Sequence, residues 1–295
     1  MTQTFAPETP WLEIIVPARN EESRLPAGLA RLCAKAATLP SGVVVIVVDS
    51  ASIDDTAGIV TRWPAGRVPV RLLRCSKAGK GAAVRAGLLA STAPYVGFCD
   101  ADMAADLSAL DDAVELLLAG RPMVLGSRAH PESVVEDRHS IFRQAGAAVF
   151  RAVARMVTPG VADTQCGFKF FAGPVARAAA ANMRATGFAF DMELISRCRR
   201  LGAQPTEIPI RWQDVPGSTF SVWRHSLTAF IEAGVIWVDL RSVSPLPMSP
   251  LPLGLPSPAA QDITTGGMNG RPVPGNGPAG SADINSPVSV RTELA

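Results

Sequence analysis

The chain has 295 residues, of which 47% are hydrophobic and 18% charged, so it can enclose a sizeable core. Its net charge is +2, from 28 basic and 26 acidic side chains, which argues against a nucleic-acid-binding protein with its usual basic excess. The N-terminus lacks a signal-peptide pattern, and the five cysteines are widely spaced without a Cys-x-x-Cys pair. These features argue against a disulfide framework or a structural zinc site and predict a protein of the reducing cytoplasm.

Short apolar runs along the first part of the chain predict buried β-strands. They cover residues 12–16, 43–48, 70–73, 95–99 and 123–126. Between them, apolar residues recur at helical spacing, as in the series Leu25, Leu29, Leu32 and Ala36, and Asp106 is expected to cap a helix carrying Leu107. Alternating strands and helices predict one α/β domain with a mostly parallel sheet flanked by helices.

Two further patterns lie in the second half of this domain. A long helix is predicted over residues 140–157. Near residue 206 the apolar period returns to two, which places Ile208, Ile210 and Trp212 on one side of a strand. The predicted sheet is therefore mixed rather than purely parallel.

The composition changes sharply after about residue 241. Residues 242–295 contain ten of the 25 prolines and no aromatic residue. Each proline removes a hydrogen-bond donor and fixes φ, so this segment cannot hold a helix or a central strand. We therefore predict a domain over residues 1–241 and a disordered tail over 242–295, with a Pro-rich docking segment as the alternative.

Polar clusters follow three of the predicted strands. They occupy residues 17–22, 49–55 and 100–102. In open α/β sheets ligands bind beyond the carboxyl ends of the strands, so these clusters are expected to share one site.

The segment Asp100-Ala101-Asp102 is the sharpest of these features. Two carboxylates separated by one small residue can both approach Mg²⁺ or Mn²⁺, which prefer oxygen ligands. The alternative is a turn whose carboxylates cap the next helix. Asp49 is a candidate to accept hydrogen bonds from a nucleobase or ribose, or is simply a residue of the turn after its strand. Residues 77–81 resemble a phosphate-approaching loop, but neither a Walker motif nor a G-x-G-x-x-G fingerprint is present.

The order of these motifs resembles the family 2 glycosyltransferases of the GT-A fold. The segments that carry the resemblance are Val16-Pro17-Ala18-Arg19-Asn20-Glu21, Val48-Asp49, Gly79-Lys80-Gly81 and Asp100-Ala101-Asp102. Later segments are similar to dolichyl-phosphate β-glucosyltransferases, within a group that includes polyprenyl-phosphate mannosyltransferases. They are residues 126–130, 163–169 (Asp-Thr-Gln-Cys-Gly-Phe-Lys), 188–194, 207–212 and 217–218.

The resemblance implies an inverting glycosyltransferase with Mg²⁺ or Mn²⁺ as its cofactor. Its donor would be a nucleotide sugar, UDP-glucose first, and its acceptor a polyprenyl monophosphate, giving a β-linked lipid-phosphate sugar. The residues implied for the nucleotide sugar are Pro17, Ala18, Glu21, Asp49, Lys80, Asp100, Ala101 and Asp102. Asp102 and Asp100 would bind the metal.

Four cationic side chains are implied for the acceptor phosphate. They are Arg128, Arg143, Lys169 and Arg211, of which Arg128 and Arg143, together with Asp102, are the implied catalytic residues. Guanidinium groups suit bidentate contact with phosphate. The alternative for each is a solvated surface charge.

Two departures from the family pattern affect the donor site. Where relatives read Val-Asp-Asp-Gly-Ser, this chain has Val48-Asp49-Ser50-Ala51-Ser52, so one carboxylate and one glycine are missing. Where mannosyltransferase relatives carry a metal-binding Gln, this chain has Ala104, as in the glucosyl branch.

A lipid acceptor also implies contact with a membrane surface, so we expect a cytoplasmic protein that is peripheral at the inner face of the cell membrane. Residues 223–240 are a candidate interfacial helix, or a helix packed on the domain, or a homodimer contact. Two other functions stay open. One is transfer from another donor, such as GDP-mannose, or to a soluble acceptor, and the other is nucleotide-sugar binding without turnover.

Overall fold

The structure is a computed structural model that describes residues 9–136, 157–187, 189–213 and 234. The strands are β1 Leu12–Ala18, β2 Val43–Ser50, β3 Val70–Cys75, β4 Tyr95–Cys99, β5 Met123–Ser127, β6 Val134–Glu136, β7 Phe168–Ala172, β8 Pro205–Pro209 and β9 Arg211–Gln213. The helices are α1 Leu25–Ala36, α2 Thr56–Thr61, α3 Lys80–Ala90, α4 Ala109–Leu118, α5 Gly173–Ala181 and α6 Phe190–Arg200.

Seven of these strands form one sheet in the order β3-β2-β1-β4-β7-β5-β8. All neighbours pair in parallel except β7, which runs antiparallel to both β4 and β5. The short strands β6 and β9 pair separately, in parallel, as a two-stranded ribbon. The prediction of a mixed, mostly parallel sheet is confirmed.

Two apolar cores cover the two faces of this sheet. On one face, β-strand side chains such as Ile15, Phe98 and Phe171 pack against α3, α5 and α6. On the other face, residues such as Ile14, Val45 and Phe170 pack against α1 and α4. Because both faces are covered, the strands are near-continuous apolar runs, which is why they stand out in the sequence.

The predicted elements agree closely with those in the described part of the chain. All five predicted strands are present, and Leu25, Leu29, Leu32 and Ala36 form the buried side of α1. One detail is wrong: α4 begins at Ala109, and Asp106 instead accepts the Ser108 N–H at 2.9 Å in the preceding turn.

The period-two pattern near residue 206 belongs to two strands of different sheets. Ile208 and Ile210 are buried as predicted, but β8 joins the main sheet while β9 joins the ribbon. Most of the predicted helix at 140–157 and all but residue 234 of the interfacial segment at 223–240 lie outside the described residues, as do Arg143 and the tail at 242–295. No helix in the described segments is long and apolar enough to cross a membrane.

Candidate active site

The carboxyl ends of β1, β2 and β4 meet at one edge of the sheet. Ala18 lies beside Asp49 in the parallel register, and Ile15 lies beside Phe98, so the residues after β4 come level with the end of β1. The polar clusters that follow these strands are therefore neighbours, as the sequence predicts.

The loops after β1 and β2 are fastened to each other by side-chain hydrogen bonds. The Asn20 N–H donates to Ser52 Oγ at 3.0 Å, and Asn20 Oδ1 accepts the Ile53 N–H at 2.9 Å. The Glu21 N–H donates to Thr56 Oγ1 at 2.9 Å. These bonds make the two loops one polar wall beside Asp49, which is buried at 5% exposure and accepts the Ser52 N–H.

Ser50, which stands where relatives have a second aspartate, fastens the glycine-containing loop before α3. Its hydroxyl donates to the Lys77 carbonyl at 2.8 Å and accepts the Gly79 N–H at 3.0 Å. The departure from the family motif therefore removes a charge but supplies a hydroxyl that holds the loop leading to Lys80.

Ala51, which stands where relatives have glycine, adopts a left-handed backbone with φ of 54°. A Cβ in this region costs about 1 kcal/mol, so we expect Ala51→Gly to raise the free energy of unfolding by about 0.5–1 kcal/mol. Urea denaturation measures the difference. The matched control is Ala65→Gly, in an exposed loop without positive φ, which is expected to be neutral or destabilising. A stability loss in Ala51→Gly would contradict the argument.

Lys80, the first residue of α3, forms a salt bridge with Asp100, one of the two candidate metal ligands. Its Nζ lies 2.5 Å from Asp100 Oδ1 and 5.8 Å from the centre of the Phe190 ring. Burial lowers the pKa of Lys80, but the carboxylates of Asp100 and Asp191 outweigh this and hold it above its usual value. The ammonium is therefore a fixed positive charge among the carboxylates of the site.

Asp102 lies in the same cluster of charges. Burial, and then the nearby Asp100 carboxylate, raise the pKa of Asp102, while the Ala104 N–H, Lys80 and Arg24 act in the opposite direction. Asp102 and Asp100 thus form a crowded pair of carboxylates whose repulsion a cation would relieve.

Glu21 belongs to this cluster as well. It receives two hydrogen bonds from the Arg24 guanidinium, at 2.8 and 2.7 Å. Burial raises the pKa of Glu21 despite Arg24, and the charges of Asp102 and Asp100 add to the increase. The structure therefore brings together Glu21, Lys80, Asp100 and Asp102, all predicted site residues, and adds Arg24.

Gly167 packs directly against the Asp100 carboxylate. A Cβ at this position would overlap the Asp100 carboxylate oxygens, while the Gly167 carbonyl accepts the Asp100 N–H at 3.0 Å. Because a side chain rather than backbone would move, we expect Gly167→Ala to fold normally yet to lower kcat/KM by about tenfold or more through a displaced Asp100. Transfer kinetics beside a thermal melt test this. Unchanged kinetics would show that the Asp100 position is not critical.

Arg128 follows β5 and is clamped by Asp163. Its Nε and Nη2 donate to the two Asp163 oxygens at 2.7 and 2.9 Å, and its guanidinium lies 5.8 Å from the centre of the Trp212 ring. Trp212 lines a small cavity together with Asp100 and Gly167. Arg128 therefore lies beside the carboxylate cluster, on the side where β6 and β9 pair.

The expectation that Lys169 contacts an acceptor phosphate needs correction. Its side chain is fully buried, its Nζ lies 2.6 Å from Asp191 Oδ1, and it also donates to the Cys166 carbonyl. A phosphate could reach it only by displacing Asp191. Arg211, by contrast, is exposed on β9 next to Trp212, so its predicted role stays a prediction.

Sequence reasoning missed three charged residues of this region. Arg24 gave only an i,i+3 spacing from Glu21, and Asp163 and Asp191 stood within motifs of the resemblance without an assigned role. The partners of Asp163 and Asp191 are distant in sequence, so no local pattern identifies these two residues, whereas the spacing of Arg24 from Glu21 was a local signal that could have identified Arg24.

Known proteins provide an independent assignment. The profile of the family described as "Glycosyl transferase family 2" matches residues 13–171. The chain is 32% identical over 242 residues to a dolichyl-phosphate beta-glucosyltransferase of Drosophila melanogaster, covering 77% of this chain and 74% of the relative. It is 31% identical over 225 residues to the Homo sapiens protein of the same name, covering 71% and 69%.

Solved structures agree on the fold. Glucosyl-3-phosphoglycerate synthase from Mycobacterium tuberculosis, crystallised with UDP, matches with a TM-score of 0.58 and 17% identity, covering 79% of this chain and 80% of that one. The same enzyme with Mn²⁺, UDP and glucosyl-3-phosphoglycerate matches with a TM-score of 0.55 and 18% identity, covering 75% and 79%. The fold expected from the sequence, GT-A, is confirmed, and the chain belongs to glycosyl transferase family 2 and is a glycosyltransferase.

Proposed function

We propose that this glycosyltransferase moves glucose from UDP-glucose to a polyprenyl monophosphate of the dolichyl type, with inversion, giving a β-linked lipid-phosphate glucose. The relatives' name supports the acceptor class and the sugar. The observation that carries the proposal is the placement of the Asp100–Asp102 carboxylates next to Lys80 on one side and the clamped Arg128 on the other.

The two carboxylates fit a divalent ion. They are hard oxygen donors at one strand end, and burial, followed by their mutual repulsion, raises the pKa of Asp102. Within the described residues no group of three or more Asp, Glu, His or Cys could hold an ion without other ligands. We therefore assign Asp102 and Asp100 to Mg²⁺ or Mn²⁺, with the donor diphosphate and water completing the ligands. When bound, the ion supplies electrostatic stabilisation of the charge on the leaving diphosphate.

The donor would lie along the wall formed by the loops after β1 and β2. Asp49, Pro17 and Ala18 would contact the nucleoside, since they stand at the neighbouring ends of β1 and β2. Lys80, the first residue of α3, would place its ammonium near the diphosphate.

The acceptor phosphate is already ionised at neutral pH, so it needs positioning more than deprotonation. Arg128, with Arg143 and Arg211 as further candidates, would hold it opposite the donor. A polyprenyl chain on this phosphate would bring the enzyme to the membrane surface on the cytoplasmic side.

The test is a transfer assay with Mg²⁺ or Mn²⁺, farnesyl phosphate as acceptor, and radiolabelled UDP-glucose or GDP-mannose as donor. We expect label from UDP-glucose to enter the organic phase as a β-linked product. Transfer of label from GDP-mannose alone would show that the donor is GDP-mannose instead of UDP-glucose. Water-soluble products alone would show that the acceptor is a soluble molecule instead of a lipid. Binding of UDP-glucose without any product would indicate a binding module.

A further inference from the structure

Asp163 fixes the orientation of Arg128. It accepts the Arg128 backbone N–H at 3.0 Å as well as the Nε and Nη2 hydrogens, and it is only 8% exposed. Burial alone would raise the pKa of Asp163, but the hydrogen bonds and charge of Arg128 lower it to about 2. Asp163 is therefore ionised at physiological pH and holds both the backbone and the side chain of Arg128.

Glu207 in turn fixes the loop that carries Asp163. Its Oε2 accepts the Ala162 N–H at 2.9 Å, and its Oε1 accepts the Asp163 N–H at 3.1 Å. Glu207 lies on β8 beside Leu125 of β5, the strand that ends just before Arg128. One rigid pair of strands thus supports Arg128 twice, directly through β5 and indirectly through Glu207 and Asp163.

Among the residues that the structure describes, this arrangement leaves part of the guanidinium for another anion. A guanidinium has five N–H bonds, and Asp163 takes one at Nε and one at Nη2. One Nη1 hydrogen and the second Nη2 hydrogen form the other fork, which matches a phosphate in bidentate geometry. Trp212 under the guanidinium lines the cavity that also contains Asp100 and Gly167.

We propose that Asp163 and Glu207 are positioning residues that orient the free fork of Arg128 toward the acceptor phosphate. This inference rests on the proposed function, in which Arg128 contacts that phosphate. Asp163 carries a negative charge close to the place where an anion binds, which by Coulomb repulsion alone would weaken acceptor binding. The proposal requires the gain from a fixed Arg128 to exceed this repulsion.

The two effects have opposite signs in the variant Asp163→Asn. If Asp163 acted only through its charge, the variant would bind the acceptor phosphate more tightly. If it orients Arg128, the variant binds more weakly, because the asparagine amide presents an N–H₂ to one of the Arg128 donors. We expect the acceptor Kd and KM to rise about tenfold, less than the roughly hundredfold that a misplacement of about 1 Å can cost, with the donor KM within about twofold of wild type.

Glu207→Gln tests the second link. Glutamine can accept only one of the two backbone N–H groups, so the Asp163 loop loosens, and we expect a smaller rise in the acceptor KM, about threefold. The matched control is Glu13→Gln. Glu13 is more deeply buried than the half-buried Glu207, and its Oε2 accepts the Thr92 and Ala93 N–H groups at 2.8 and 3.2 Å, but it lies near the start of β1, away from the site. It should lose stability without changing the acceptor KM.

Farnesyl phosphate is the probe, in equilibrium titrations with each variant and in transfer from UDP-glucose. In an Arg128→Ala background no guanidinium remains to be oriented, so Asp163→Asn should no longer weaken acceptor binding and should tighten it, because only the repulsion by the Asp163 charge is removed. Tighter or unchanged acceptor binding in Asp163→Asn overturns the inference. So does a rise in the acceptor KM of Asp163→Asn that is no larger than the rise measured for Glu13→Gln. If the wild type binds farnesyl phosphate, and Asp163→Asn binds it more weakly, without any transfer, the proposed reaction fails but the positioning role stands. If the wild type does not bind it, both fail.

Discussion

Replacing Asp102 by asparagine is expected to reduce sugar transfer at least about a hundredfold while the protein stays folded. Asparagine keeps the shape of the side chain and an oxygen that can accept the Ala104 N–H, now accepted by Asp102 at 3.2 Å. It loses the negative charge that a divalent ion requires. Transfer to farnesyl phosphate measures the loss, and Mn²⁺ binding in the presence of UDP, followed by electron paramagnetic resonance, should weaken in parallel.

The same substitution should stabilise the protein at neutral pH. Because burial and Asp100 raise the pKa of Asp102, its ionised form is disfavoured in the folded state. This penalty is absent below the ordinary carboxyl range and is complete once the pH exceeds the raised pKa, so the advantage of Asp102→Asn should vanish in acid. Asp106→Asn, on the same loop, is the control and should change neither activity nor this pH dependence. A fully active Asp102→Asn enzyme would remove Asp102 from the metal site.

The sheet could be predicted well from the sequence because its strands are buried on both faces. Runs such as residues 43–48 are apolar throughout, so no helical period competes with the strand assignment. They end at polar residues, which mark the carboxyl edge of the sheet. Strand β7 escaped prediction because Lys169 interrupts its apolar residues and suggests a surface position. Helix α6 escaped for a similar reason, since its buried Asp191 and Glu193 look like exposed charges.

That the polar clusters meet at one edge of the sheet was equally predictable, because each cluster follows a recognisable strand. What sequence could not give was the pairing of charges across elements. Whether Lys169 contacts a ligand or is buried depends on what packs over β7, and both faces of this strand are covered by the core. Ser50 illustrates the same limit, since only the structure shows its hydroxyl holding the Lys77 and Gly79 backbone.

Breaking the buried ion pair between Lys169 and Asp191 is expected to have the largest effect on stability. Both side chains are almost fully buried, and their charged atoms lie 2.6 Å apart. Lys169→Met would leave the Asp191 carboxylate in the core without its partner, which typically costs about 3–5 kcal/mol of unfolding free energy. Urea denaturation, or loss of soluble protein where the variant does not fold, measures the cost.

The double variant Lys169→Met/Asp191→Leu separates the structural role of this pair from its electrostatic one. Two apolar side chains of similar volume can replace a buried pair at little cost, so we expect most of the stability lost in Lys169→Met to return. Asp191 is, however, one of the carboxylates that hold the pKa of Lys80 above its usual value. The double variant should therefore be stable, yet its Kd for UDP-glucose should differ from that of the wild type. The reason is that Lys80 then interacts with Asp100 without the competing attraction of Asp191. Unchanged donor binding would restrict the pair to a structural role, and a double variant as unstable as Lys169→Met would show that packing, rather than the unpaired charge, causes the loss.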